Sequence, residues 1–83
     1  MKEHELHKSL TQLTEMHKRL DRIRQDIDKE TDNLAAEPEG EYLTHNAKTM
    51  LHNDLITMQL TLDRHLTEID KRREEIRAEL QRL

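Results

Sequence analysis

Apolar residues recur along this chain at intervals of three and four, and two long rows repeat every seven. Leu6, Leu13, Leu20, Ile27 and Leu34 precede the only proline and the only glycine, Pro38 and Gly40; Leu55, Leu62, Ile69, Ile76 and Leu83 follow them. A strict seven-residue repeat keeps one row of side chains facing a partner helix in a left-handed coiled coil. The pattern therefore predicts an all-α chain, a single domain spanning 1–83 built as an antiparallel two-helix coiled-coil hairpin.

The first helix is expected over 2–36, where no helix breaker occurs and Leu6, Leu10, Leu13, Met16, Leu20, Ile23 and Ile27 mark one apolar face. The turn is expected at 37–41. Proline disfavours helix in the residue before it, and glycine tolerates the positive φ of a sharp bend. A second, longer helix is expected over 42–83. A bend centred near Glu39 would set residues whose numbers sum to about 78 opposite one another, since a short loop makes the helices antiparallel neighbours. Ile27 would then meet Leu51, Ile23 would meet Leu55, Leu20 would meet Met58, and Leu13 would meet His65.

Two features suggest that the hairpin is part of something larger. In that pairing Leu80 and Leu83 run past the end of the first helix with no intramolecular partner. Between Met50 and Leu62 the second helix is also apolar on two sides. Leu51, Leu55, Met58 and Leu62 share the hairpin-facing side at about 100° per residue, whereas Ile56 and Leu60 fall well away from it. Tyr42, His45 and His52 lie on or beside this second face. A helix that is apolar on two sides is normally covered on both. The expectation is a bundle completed by oligomerisation or by a protein partner.

Composition narrows the possibilities. With 33% apolar and 39% charged residues and one aromatic, Tyr42, the chain is too polar for a compact globule. Its apolar residues are nonetheless too regularly placed for disorder. At 83 residues it needs a staple, and with no cysteine that staple is neither a disulfide nor a thiolate metal site. No apolar run is long enough to span a membrane, and the N-terminus carries no apolar signal region, so a cytoplasmic protein is expected. A net charge of −4 argues against nucleic-acid binding. The one basic cluster, Lys71-Arg72-Arg73, runs straight into Glu74 and Glu75, as on a solvated helix face.

Six histidines are the oddity of the composition. His4 and His7 are spaced to share an ion only in part, and no further ligand is expected opposite them, so no metal site is assigned. His17 and His65 interrupt apolar rows, where polar residues commonly fix register and partner number. They are the candidates for a pH-sensitive seam: protonating six histidines moves the formal charge from −4 to +2. Catalysis finds no footing. Ser9 is the only serine and lacks a recognisable triad, the carboxylates alternate with Lys and Arg as helix-supporting pairs, and a hairpin encloses no pocket. No enzyme, cofactor or small-molecule substrate is expected.

The row Leu13, Leu20, Ile27, Leu34, the turn Ala36-Glu37-Pro38-Glu39-Gly40-Glu41-Tyr42 and the following Met50-Leu51 resemble tubulin-binding cofactor A, a family of helical chaperones. That resemblance implies a helical co-chaperone. The family's lysine- and glutamine-rich segment after the tyrosine is replaced here by Leu43-Thr44-His45-Asn46, its short third helix has no counterpart, and no binding residue is carried over. Ile27-Asp28-Lys29-Glu30 is similar to Rho-effector hairpins, and Glu41-Tyr42-Leu43 with Arg72-Arg73 to BAG-type bundles. The functional expectation is a non-catalytic protein–protein interaction module: an adaptor, assembly subunit or co-chaperone. Docking would run through Ile56 and Leu60, with Tyr42, His45 and His52 at the rim and Leu80 and Leu83 extending the contact. The alternative is a self-assembling structural bundle, a homo-oligomer tuned by histidine; an artificial sequence would satisfy the same pattern.

Overall fold

The computed structural model describes residues 2–83. They form two helices, α1 (Lys2–Ala36) and α2 (His45–Gln81), folded back on each other into a rod of 63 × 14 × 14 Å over its Cα atoms. The expected hairpin is present. α1 runs unbroken until Pro38, which cannot donate a backbone hydrogen bond and disfavours helix in Glu37. Its last turn closes through the Glu37 N–H, which donates to Asn33 O (3.1 Å) and Leu34 O (3.2 Å).

The connection is wider than the expected 37–41. α2 starts at His45, not Tyr42, because Thr44 is its N-cap: Thr44 is extended (φ −70°, ψ 167°) and its hydroxyl accepts from the Ala47 N–H at 3.2 Å. Its carbonyl takes the first helical bond, from the Lys48 N–H at 2.9 Å. Such a cap satisfies one of the orphan donors of a helix start. Tyr42 therefore sits in the loop, 91% exposed. A loop this wide needs no left-handed residue, and Gly40 does not adopt a positive φ. Its N–H donates to Leu43 O at 2.9 Å, while Lys48 Nζ reaches Glu37 O at 2.5 Å and Glu39 pairs with His45 at 2.9 Å. A Cβ added at Gly40 would meet nothing within 4 Å. Gly40→Ala is thus expected to stabilise by about 0.4–1 kcal/mol through the unfolded chain, visible as a thermal midpoint raised by a few degrees; a lowered midpoint would show that this backbone position does demand glycine.

The wide loop resets the pairing of the helices. Three of the contacts that cross between them join residues whose numbers sum to 87, Arg24 with Asp63, His17 with Asp70 and Asp28 with Gln59, while Gln59 with Thr31 and Lys2 with Glu79 fall to either side of that value. That is nine more than expected, since the bend centres near Leu43 and Thr44 instead of Glu39. Ile27 consequently does not face Leu51, and His65 does not face Leu13. The seam is formed by Leu6, Leu13, Leu20, Ile27 and Leu34 on α1 against Leu55, Leu62, Ile69 and Ile76 on α2, all at least half-buried. Ile27 and Ile69, each 7% exposed, are the buried core among the described residues. The shift also lengthens the overlap at the open end. Lys2 pairs with Glu79 at 2.7 Å, holding that carboxyl below its usual range, and Leu80 is covered by α1. Leu80 is therefore not the overhang it was expected to be; Leu83 remains exposed.

The second row of the seam is mostly polar: Leu10, His17, Arg24 and Thr31 on α1, Gln59, Leu66, Arg73 and Leu80 on α2. Arg24 forks onto Asp63 (Nε to Oδ1 2.9 Å, Nη2 to Oδ2 3.4 Å) and also holds Asp28. The bond to Asp63 raises its pKa, burial opposes the rise, and Asp28 adds to it. Arg73 binds Asp70 at 3.0 Å, but its buried Nε has no hydrogen-bond partner. An unsatisfied buried donor costs on the order of 1 kcal/mol or more. Arg73→Leu extends the apolar heptad and is expected to raise the thermal midpoint by roughly 4–8 °C; an unchanged or lower midpoint would mean that the guanidinium stabilises the seam despite its orphan nitrogen.

Candidate interaction face

The chain carries two overlapping seven-residue frames, and the hairpin uses one. Starting from the shared row Leu13, Leu20, Ile27, intermediate residues can be taken at Met16 and Ile23 or at His17 and Arg24. On α2 the choice lies between Leu51 and Met58 or Gln59, Leu66, Arg73 and Leu80 around the row Leu55, Leu62, Ile69, Ile76. By apolar content the first choice on α1 is the better one, and Met16 and Ile23 are the residues expected in the seam. The structure takes the other: His17 and Arg24 are covered, while Met16 and Ile23 are 41% and 46% exposed. The helices face each other along one line only, and Leu10, Leu66 and Leu80 supply apolar contacts in the frame that contains His17 and Arg24. The asides of the other frame are turned out together.

The residues turned out gather on one flank. Leu51 and Met58, expected to face α1, are 46% and 48% exposed and border the same side of the rod as Met16 and Ile23. Two troughs mark it. Near the loop, a groove of ≈ 840 Å³ is lined by Leu34, Pro38, Leu51, Leu55 and Met58, with Glu30 and Asp54 at its edges. Toward the open end, a smaller one of ≈ 350 Å³ is lined by Leu13, Met16 and Ile76, with Arg72 and Glu75 beside it. Each trough pairs seam residues with residues of the unused frame, so the flank is a grooved, partly apolar surface lying beside the seam.

The residues expected to bind a partner are dispersed. Ile56, 36% exposed, continues the row of Asp63 and Asp70 that holds Arg24 and His17, and Leu60, 61% exposed, lies farther out on α2. They line neither trough of the apolar flank. His45 and His52 share a small hollow with Glu39, Lys48 and Thr49 at the loop end, and Tyr42 projects from the loop. Leu83 is exposed and Leu80 is packed.

The two candidate seam histidines part company. His17 lies within the seam, its Nε2 3.4 Å from the Asp70 carboxylate that Arg73 also holds. His65 is exposed, because the shift in pairing moves it out of the seam and onto the row of Leu51 and Met58. Among the described residues no three His, Asp or Glu side chains are placed to hold a metal ion, and no helix is long and apolar enough to cross a membrane. The apolar flank is hidden in the sequence because Met16, Ile23, Leu51 and Met58 have the spacing of seam residues. The signal that could have found it is the doubling of the frame itself, legible as two choices at every intermediate position.

Compared with protein-family models, curated proteins and solved structures, the chain matches none.

Proposed function

We propose that the chain is a non-catalytic protein–protein interaction module of the cytoplasm, an adaptor, assembly subunit or co-chaperone that binds by packing helices against its unused seam. One observation carries the reading. Met16, Ile23, Leu51 and Met58 complete a seven-residue frame with the buried row, yet lie uncovered along one flank beside a groove of ≈ 840 Å³. Apolar residues in heptad register next to an existing seam are what a helix-in-groove contact requires, with knobs from the incoming helix entering holes between the two resident ones. The anchors are then Met16, Ile23, Leu51 and Met58, and the larger of the two grooves receives a side chain of the incoming helix. Unbranched methionines suit such a surface because they adapt to an irregular partner.

Self-assembly is the second reading, favoured by the thinness of the core: Ile27 and Ile69 alone are buried among the described residues. A hairpin of this size gains little from its own interior and commonly relies on association.

Charging the flank tests the proposal. Ile23→Glu combined with Met58→Glu should remove association, measured by mass in solution and by binding to any isolated partner, while helix content measured by circular dichroism is kept. Association that survives both charges would end this reading.

A further inference from the structure

Resting on that reading, we propose that the occupant of the apolar flank is a second copy of this chain, laid face to face across a two-fold axis perpendicular to the rods, at the level of Asp26 and Thr61. Four helices then share one interior. Residues of α1 and α2 lie level when their numbers sum to 87, as the Arg24–Asp63, His17–Asp70 and Asp28–Gln59 contacts show. Leu51 is therefore level with Ala36 and Met58 with Lys29. From the open end toward the loop, the exposed stripe reads Met16, Ile23, Met58, Leu51, and it is symmetric about the level of Asp26. A two-fold axis there sets Met16 and Ile23 of one copy level with Leu51 and Met58 of the other, on diagonally placed helices of the four.

The same operation matches shape. Met16 of the second copy arrives at the level of Leu51, over the groove of ≈ 840 Å³ between Leu34, Pro38, Leu51 and Leu55. A protruding methionine enters a hollow, and does so twice by symmetry. The two rods overlap along roughly 45–50 Å, given about 1.5 Å of rise per residue. A face two helices wide and that long covers about 800 Å² per copy, the size of an ordinary stable interface.

Charge selects this axis over the other two-fold that also brings the flanks together, the one running along the rods. In the perpendicular arrangement Arg19 falls between Glu30 and Glu37 of the second copy, and Asp54 falls between its His65 and Arg72. Two like-charged approaches oppose these, Asp26 with its own counterpart at the axis and Asp54 with Glu68, both at the rim where water screens them. With the axis along the rods, Asp54 would instead be set between Glu30 and Glu37 of the other copy, and Arg19 near both Glu68 and Arg72. That alternative also lays hollow against hollow, leaving space that close packing disfavours.

Engineered cysteines read the axis directly, since the chain has none of its own. A residue on a two-fold axis meets its own counterpart, and a disulfide forms only when the two Cα atoms lie within about 7 Å. Full-length Asp26→Cys and, separately, Thr61→Cys should each form disulfide-linked dimers under mild oxidation, at roughly ten times the yield of the outward-facing control Lys29→Cys. Mass in solution should be twice that of the chain and fall to the monomer value in the Ile23→Glu, Met58→Glu variant. A folded monomer at every accessible concentration would overturn the second copy as occupant. A dimer in which Cys-substituted 26 links only to Cys-substituted 61 in a mixture of the two variants would overturn the perpendicular axis. A dimer untouched by the flank charges would overturn the underlying reading of the face, whatever the cysteines report.

Discussion

Ile69→Ala and Ile27→Ala are each expected to cost about 2–4 kcal/mol, the usual penalty for emptying a buried isoleucine site. Both side chains are 7% exposed and sit in the seam where the two helices meet. A domain of this size has on the order of 4–12 kcal/mol of total stability, and a thin rod belongs at the low end. The two sites are about nine helical residues apart along the rod, so roughly 13 Å separates them and their effects should add. The double variant is then predicted to be unfolded at room temperature, seen as a loss of helical circular dichroism without a cooperative melting transition. Leu83→Ala, at a site 65% exposed, should change stability by less than about 0.5 kcal/mol. A double variant that melts like the parent would show that the core lies elsewhere, in an association surface that holds the hairpin together.

Charging the flank is expected to have the opposite signature, with folding intact and association lost. Ile23 and Met58 are about half-exposed in the single hairpin, so a glutamate at either place keeps its carboxylate in water and is as compatible with helix as the residue it replaces. In a face-to-face contact the same carboxylate would be stripped of water beside apolar side chains. The penalty is about 2–4 kcal/mol per interface, which corresponds to roughly 30- to 700-fold weaker binding. Ile56→Glu with Leu60→Glu is the informative comparison. Those two residues line neither trough of the grooved flank, so the pair should leave association through it unchanged. If this pair abolishes association and the Ile23, Met58 pair does not, the outer patch is the docking surface and the flank is merely solvated.

The helices themselves were legible because their signals are local. Seven-residue rows, an absence of breakers across 2–36, and a proline–glycine pair suffice to place two rods and a reversal between them. The exact start of α2 was less so: Thr44 was available as a cap, yet nothing in the sequence distinguishes it from a residue of a helix begun at Tyr42 until its hydroxyl is seen accepting from Ala47. Those three residues account for about a third of the nine-unit change in pairing sum, and the path the loop takes between the helix ends supplies the rest. Because a helix turns about 100° per residue, a small slip in pairing exchanges one face for its neighbour. Leu51, Met58 and His65 left the seam for this reason, and Gln59 and Arg73 entered it.

The sequence by itself determined that this chain forms two long helices, that they fold back near Pro38, and that the rows of Leu13 and Leu62 lie inside, since heptad spacing, breakers and caps act through neighbouring residues. Only the tertiary structure decided which of two overlapping frames closes the hairpin. That choice depends on the level at which one helix meets the other, fixed by the loop and by Arg24 and His17 finding Asp63 and Asp70 across the gap. It is also what leaves Met16, Ile23, Leu51 and Met58 together on one flank, because a helix pair can bury only one line of contact and the apolar residues of the other frame must face outward.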